Sequence, residues 1–380
     1  MARIALDAVP LQKLSGGVGY YIFYLLDELI RQSPDDEFFL YAFSDQGDIA
    51  HFKKYTNVTI RVVPFLSFFH SLWCQITLAY ALYRDKIGVF WGTTQSIPLF
   101  KRRKMKTVLT VYDFVYLLFP KTVATFKCYY LKCLSPWMLK KANVLLPISE
   151  GTAQRLKQYY GLQQDHVMLP PIRPTIAYKT QQEVSKKIEP LGLSYKNYLL
   201  TVGTLEPRKN FTQLVQVYLS LLEKKKQLPP LVIIGAGGWK NKEIVDLLQR
   251  AEKDRPDAIK LLGNAPDEDL SYYLSGARFY ITLSLYEGYG MPLAEARACK
   301  TAVICFDQLE LREAAENDGY FLRKDKLMQD LEKVLDQEEL STPNAVSYSS
   351  TEDKIMLVKT AGVFSAEIDH RKRSTKSGGD

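Results

Sequence analysis

The stretch Glu287-Gly-Tyr-Gly-Met-Pro-Leu-Ala-Glu295 sets two carboxylates on either side of seven residues, with two glycines bracketing an aromatic between them. Before it, Phe279-Tyr-Ile-Thr-Leu-Ser-Leu-Tyr286 is apolar enough to read as a buried strand. After it, Pro292 stands where a helix opens, because a first-turn residue needs no N–H. Glu287 is thus expected at the carboxyl end of a strand and Glu295 on the first turns of the next helix. In open α/β sheets ligands bind in that crevice, and a helix amino terminus there suits a phosphate. Two acids flanking it can accept hydrogen bonds from sugar hydroxyls, so the pocket suits a sugar joined to a diphosphate.

The same alternation of strand and helix extends outward in both directions. Toward the amino terminus, Arg3–Asp7, Phe38–Phe43, Val58–Val63, Gly88–Trp91, Thr107–Val111 and Val144–Ile148 read as strands. A glycine turn over Ser15–Gly19 leads into a helix through Tyr20–Arg31. Ser149 reads as the cap of a helix that runs to Tyr160 and stops at Gly161. Residues 170–197 hold Pro170, Pro171, Pro174 and Pro190 among polar residues and break the series. A second series follows, with strands at Tyr198–Val202, Leu231–Ile234, Ile259–Leu262, Phe279–Leu283 and Ala302–Phe306. Its helices are expected at Phe211–Lys226, Lys242–Lys253, Glu268–Ala277 and Pro292–Cys299. Two such series predict an α/β chain of two doubly wound, Rossmann-like domains facing across a cleft. The boundaries read as 1–172, a linker or peripheral segment over 173–197, a second domain over 198–340, and a tail over 341–380. Within that tail Glu352–Glu367 is expected as a crossing helix, with disorder from Arg371 onward.

A chain of 380 residues exceeds what one hydrophobic core supports, which agrees with two domains. Hydrophobic residues at 47% and charged residues at 24% match an ordinary globular protein and exclude a low-complexity chain. Five cysteines without a Cys-x-x-Cys argue against a disulfide framework or zinc site. An acid at position 7 argues against a signal peptide, so cytosol is expected. Charge is uneven: residues 1–180 hold 22 Lys and Arg against 12 Asp and Glu, and the remaining 200 hold 28 against 30. The basic half, with Lys101-Arg-Arg-Lys-Met-Lys106 and the Lys/aromatic stretch from Lys121 to Lys141, would attract anionic lipid, nucleic acid or an anionic acceptor. A plain solvated surface is the other reading. Leu66–Tyr83 has no Asp, Glu, Lys or Arg, yet its polar interruptions favour a helix buried in the protein over one lying on a membrane, and least of all a span.

Gly203-Thr-Leu-Glu-Pro-Arg-Lys-Asn210 follows the first strand of the second series. Arg208 and Lys209 there can neutralise a diphosphate, one with a bidentate fork and the other as a point charge. The bland reading is a polar loop with solvated cations. Ser15–Gly19 meets neither the dinucleotide nor the P-loop fingerprint. Ile234–Gly238 reads as a plain turn. The four histidines show no ligand spacing, and Asp267-Glu-Asp269 reads as helix-start acids, so no metal is expected.

Ser284–Cys299 resembles the Glu-x7-Glu signature of the retaining, nucleotide-sugar-dependent glycosyltransferases of family 4, which have the GT-B fold; the resemblance runs over about residues 3 to 335. It implies that Glu287 contacts the donor sugar near the reacting carbon and that Glu295 holds the ribose hydroxyls. Arg208 and Lys209 would join Glu287 in catalysis. Gly288, Tyr289, Gly290, Met291 and Leu293 would cradle the diphosphate with their backbone, helped by Gly203 and Thr204 and by Gly16 and Gly17 in the first domain. Tyr112 and Asp113 stand where many members carry His-Asp, a donor-sugar or acceptor contact. Ile148-Ser-Glu150 and Leu66–Tyr83 are also similar to family elements. The chain departs from the pattern at Tyr112, at Thr204, where an arginine is usual, and at Lys300-Thr-Ala-Val303.

The implied function is a metal-independent, retaining transfer from a nucleoside-diphosphate sugar to a hydroxyl of a lipid-linked or polysaccharide acceptor in cell-surface glycan synthesis. The first domain would bind the acceptor and the second the donor, with no cofactor. The basic first domain would rest on the inner membrane face, and nucleic acid is not expected as a partner. The alternatives are a catalytically degenerate scaffold of the same fold and a basic membrane-surface or nucleic-acid-binding protein.

Overall fold

The computed structural model describes residues 1–14, 16–164, 166–225, 227–235, 237–238, 242–337 and 363–364. The chain divides into two compact units. The first comprises the described residues of Met1–Tyr112, Phe126–Pro171 and Ser349–Asp380; the second comprises those of Asp113–Thr125 and Ile172–Tyr348.

The first unit is built on β1 (Arg3–Asp7), β2 (Glu37–Ala42), β3 (Val58–Val62), β4 (Val89–Gly92), β5 (Lys106–Val111) and β6 (Val144–Pro147). They form one parallel sheet in the order β3-β2-β1-β4-β5-β6. In the second unit β7 (Leu199–Val202), β8 (Leu231–Ile234), β9 (Ile259–Gly263), β10 (Phe279–Thr282), β11 (Ala302–Phe306) and β12 (Tyr320–Leu322) form a parallel sheet in the order β12-β11-β10-β7-β8-β9. Both sheets are therefore doubly wound. The winding reverses between β1 and β4 in one and between β7 and β10 in the other, which are the points where ligands bind in such sheets. β4, β8, β10 and β11 are buried along their whole length, as expected for parallel strands covered on both faces. One apolar cluster, from Leu199 through Phe279 to Leu335, fixes the second sheet against its helices.

Helix ends follow local chemistry. Ser149 caps Glu150–Tyr160 by accepting the Thr152 N–H, and Gly161 closes it at φ 65°. The helix expected at Tyr20 instead begins at Gly16 and runs to Gln32. Glycines cost little in a first turn, where the amides have no intrahelical acceptor. Gly19 also lies so near Pro10 that a Cβ would sit 3.3 Å from its carbonyl oxygen.

The segment 173–197, read as a linker, lies in the second unit and carries a helix, Gln181–Ile188. Thr180 and Glu183 close its amino end with a reciprocal capping box. Prolines mark its entry and exit, which is why composition alone suggests a loop. The short edge strand β12 escapes the periodicity reading as well. The crossing helix expected over Glu352–Glu367 lies outside the described residues, except for Val363 and Phe364. Those two are buried, and the Phe364 ring packs edge-on against Trp91 at 5.3 Å in the first unit.

Leu66–Tyr83 corrects the sequence reading. It folds as His70–Trp73, a wider-wound turn over Cys74–Leu78, and Ala79–Arg84. Trp73, Cys74, Leu78, Ala81 and Leu82 are buried, but Phe68, Leu72, Ile76, Tyr80 and Tyr83 are exposed. The segment carries apolar side chains on two faces, only one of which is buried. No helix among the described residues is long and apolar enough to cross a membrane.

Candidate active site

In the second unit the segments leaving β7 and β10 meet at the reversal point. After β7 the chain makes a tight turn, Pro207–Lys209, which Asn210 ends in a left-handed conformation at φ 59°. The Asn210 side-chain amide donates to the Leu283 carbonyl at 3.1 Å, and the Leu285 N–H donates to the Arg208 carbonyl at 2.9 Å. These two bonds fasten the loop to the exit of β10. Gly235, Gly237 and Gly238 buttress it from the other side. A Cβ at Gly235 would stand 2.0 Å from the Gly203 carbonyl oxygen, and one at Gly238 2.6 Å from Thr204 Cγ2. Leu205 and Gly237 also pair as an isolated bridge. These three glycines, which the sequence assigns to a plain turn, thus support the Gly203 loop.

Held in this way, both cations converge on one acid. Arg208 Nη1 donates to Glu287 Oε2 at 2.7 Å and to the Tyr286 carbonyl at 2.7 Å. Lys209 Nζ donates to Glu287 Oε1 at 2.6 Å. Arg208 Nη2 reaches Glu206 at 2.5 Å. Burial pushes the Glu287 carboxyl up, but the charges of Arg208 and Lys209 outweigh it and bring it down to about 2. Burial lowers the Arg208 guanidinium while Glu287, Glu206 and Asp113 raise it further, so that it lies above its ordinary value. The cluster is two cations sharing one carboxylate, with side chains 11–19% exposed.

Glu295 is a separate centre. Arg173 grips it with both arms, Nε to Oε1 at 2.6 Å and Nη2 to Oε2 at 2.8 Å, and reaches Asp267 with Nη1 at 2.7 Å. Both partners are buried, and burial holds the Glu295 carboxyl above its ordinary value against the pull of Arg173. Each carboxylate oxygen has a second lone pair, so Glu295 can still accept from a ligand hydroxyl. Arg173 escaped the sequence reading: a single cation between prolines carries no pattern. Asp267 and Asp269 pair with Arg173 and Lys187.

Gly290 begins the helix Met291–Ala298 at φ 108°, where a Cβ would stand 3.0 Å from Leu311 Cδ2. The Gly290 and Met291 amides donate to no described residue, which leaves them for a ligand. The Leu293 N–H, expected to be available, is spent on the Gly290 carbonyl at 3.0 Å; the helix has already closed its first turn there. Gly288 is half-buried and Tyr289 buried beside them. Gly203 is half-buried and Thr204 exposed.

Tyr112 and Asp113, expected at a donor-sugar or acceptor contact, have these surroundings. Tyr112 lies in the first unit, its hydroxyl donating to the Thr93 carbonyl at 2.7 Å and its ring edge-on to Tyr21 at 5.5 Å. That hydroxyl is committed inside the fold, and burial holds it well above its ordinary pKa. Asp113 accepts the Val115 N–H at 3.0 Å and adds to the field on Arg208. Gly16 and Gly17 open the first helix of the first unit and are exposed.

Residues 184–350 match the family model described as glycosyl transferases group 1. The O-antigen chain mannosyltransferase B of Escherichia coli is 25% identical over 330 residues, 83% of this chain and 85% of that protein. The N-acetylgalactosamine-N,N'-diacetylbacillosaminyl-diphospho-undecaprenol 4-alpha-N-acetylgalactosaminyltransferase of Campylobacter jejuni is 27% identical over 242 residues, 60% of this chain and 62% of that one. Among solved structures, Anabaena HepE in complex with UDP and glucose superposes with a TM-score of 0.65 at 14% identity, covering 95% of each chain.

Proposed function

We propose that this GT-B glycosyltransferase, whose residues 184–350 match the group 1 family, moves a sugar from a nucleoside diphosphate to a hydroxyl of a lipid-linked saccharide, with retention at the anomeric carbon and without a metal ion. The observation that carries the reading is the convergence of Arg208 and Lys209 on Glu287 at the reversal point of the second sheet. A departing diphosphate gains negative charge as the sugar leaves, and preorganised cations stabilise that charge without rearrangement. Arg208, Lys209 and the Gly290 and Met291 amides are the groups for it. Glu287 holds the cations in place until the donor arrives and then orients the sugar. Glu295, fixed by Arg173, takes the ribose hydroxyls. Relatives named for O-antigen mannosyl transfer and for an undecaprenol-linked acceptor support an acceptor of that class.

We propose further that the first unit rests on the inner face of a membrane. Phe68, Leu72, Ile76 and Tyr80 are exposed on this helical segment of the first unit, and the Phe69 ring lies 6.5 Å from exposed Phe126. Exposed Lys127, Lys132, Lys140 and Lys141 follow on the helix Thr125–Lys141. Apolar side chains with basic neighbours are what an anionic lipid surface holds.

The test of the catalytic reading is thermal unfolding with UDP, GDP and their sugars, followed by turnover with the sugar nucleotide that stabilises. A ligand at about 100 times its Kd adds about 2.7 kcal/mol to the state it binds. No shift with any nucleoside diphosphate would overturn the assignment. Stabilisation without hydrolysis or transfer would favour the scaffold instead.

A further inference from the structure

The reversal point of the first sheet carries a second set of polar groups that the donor site leaves unused. β1 ends at Asp7 and its neighbour β4 is followed by Thr93 and Thr94. The Asp7 side chain is fully buried. Its Oδ1 accepts the Val9 N–H at 3.1 Å, and its Oδ2 accepts the Thr94 hydroxyl at 2.8 Å. The Thr93 hydroxyl donates to the Asp7 carbonyl oxygen. Asp7 Oδ2 also lies 2.7 Å from Nε2 of His70, the first residue of the helical segment after β3. The imidazole stacks on buried Trp73 at 5.6 Å and meets the Phe43 edge at 6.2 Å. It is nevertheless 34% exposed, and its Nδ1 meets no described residue.

A buried carboxylate with two further partners is an expensive way to hold a ring in place if the ring does nothing else. The arrangement fixes the orientation of the imidazole through one of its two nitrogens, on a ring that is partly exposed, at the place in the sheet where a doubly wound fold takes its ligand. We propose that His70, oriented by Asp7, binds a hydroxyl of the saccharide acceptor through its Nδ1–H. The proposal rests on the glycosyltransferase reading above and adds to it a residue and a chemistry for the acceptor.

The pH dependence follows from the surroundings of the ring. Burial lowers the His70 pKa, Asp7 raises it, Lys127 lowers it, and the sum lies above the ordinary value. Thr94, Phe43 and Trp73 bring no charge. The imidazolium therefore persists above pH 6.5 and is lost as pH rises through its folded pKa. Its charge-assisted hydrogen bond to the acceptor weakens over the same window.

The test uses the full chain, whose four histidines keep the ring-proton NMR spectrum simple. His70→Gln assigns the resonance. Octyl α-mannoside and octyl N-acetyl-α-galactosaminide serve as acceptor probes, with inorganic diphosphate as the control. We expect one of the glycosides to move the His70 resonance, more weakly above its pKa than below, and Asp7→Asn to lower the midpoint of its titration. In transfer assays His70→Gln raises the acceptor KM about tenfold or more, leaves the nucleoside diphosphate thermal shift intact, and flattens the pH profile of that KM. A resonance that ignores both glycosides, or answers only to diphosphate, overturns the proposal. So does a variant that loses melting temperature but keeps its acceptor KM, since that is a clasp between helix and sheet. Loss of the nucleoside diphosphate shift in the wild type would instead sink the glycosyltransferase reading beneath it.

Discussion

A carboxylate placed between two cations that are to receive a phosphate works against the phosphate. Glu287 occupies Arg208 and Lys209 with bonds of 2.7 and 2.6 Å, and a diphosphate arriving there meets its negative charge. Glu287→Gln should therefore bind UDP or GDP as tightly as the wild type or tighter by calorimetry. Transfer should fall by a factor of about 100 or more, because the neutral amide no longer orients the sugar or holds the cations in register. Weaker nucleotide binding in that variant would contradict the proposed division of labour. The same residue makes stability depend on pH. Its folded pKa of about 2 lies below the ordinary 4.5, so its stabilising effect is complete above about pH 4.5 and is lost as pH falls toward 2. At about 1.4 kcal/mol per unit the whole effect is about 3 kcal/mol. Urea unfolding of wild type and Glu287→Gln should accordingly converge between pH 5 and pH 2; a gap that stays constant would mean the carboxylate is not ionised against its partners. The carboxylates and cations were legible as residues at strand ends. Their sharing of one acid was not, since 79 positions separate Arg208 from Glu287 and only the strand order joins them.

Glycines distinguish support from binding at the scale of the loop. Gly235 and Gly203 both follow strands, yet their surroundings differ. A methyl at Gly235 meets the Gly203 carbonyl oxygen at 2.0 Å, and neither backbone can yield without moving the Arg208 turn. A methyl at Gly203 meets the flexible Lys209 side chain at 3.7 Å and the Phe211 ring at 3.8 Å, both ordinary van der Waals contacts. Gly235→Ala should cost about 1–3 kcal/mol, typical of overpacking, or several degrees of melting temperature for a unit of this size. It should also weaken nucleotide binding. Gly203→Ala should leave the melting temperature within about a degree while weakening nucleotide binding, because the added methyl crowds the approach of a phosphate. Equal stability losses in the two variants would dissolve the contrast. The periodicity of the sequence located the strands to within a residue or two, since buried parallel strands are continuous apolar runs. It could not tell that Gln181–Ile188 is a helix behind prolines, or that Gly16 already lies inside one, because both depend on what the backbone packs against.

At the scale of the whole chain, the double alternation of strand and helix was enough to name two doubly wound sheets, because each helical crossover forces the next strand parallel. What the sequence could not decide was which faces of an apolar helix are covered. Leu66–Tyr83 reads as a core helix because it is uncharged yet too interrupted by polar residues to span, but Phe68 is 96% exposed and Tyr80 68%. Water is a poor partner for such a surface, and exposed apolar patches rimmed by charge mark interaction sites. If an anionic bilayer is the partner, binding has two separable parts. Phe68→Ser with Tyr80→Ser removes apolar area without touching a buried group, so the melting temperature should hold while partition onto phosphatidylglycerol-containing vesicles falls at every salt concentration. Replacing Lys127, Lys132 and Lys140 by Gln should instead remove the part that salt screens, on the order of 1 kcal/mol per cation at low ionic strength. Vesicle sedimentation at low and high salt reads both. Partition that neither set of changes alters would leave the exposed aromatic face without its lipid partner. Loss in the aromatic variant alone would mean that hydrophobic insertion, not charge, seats the first unit on the bilayer.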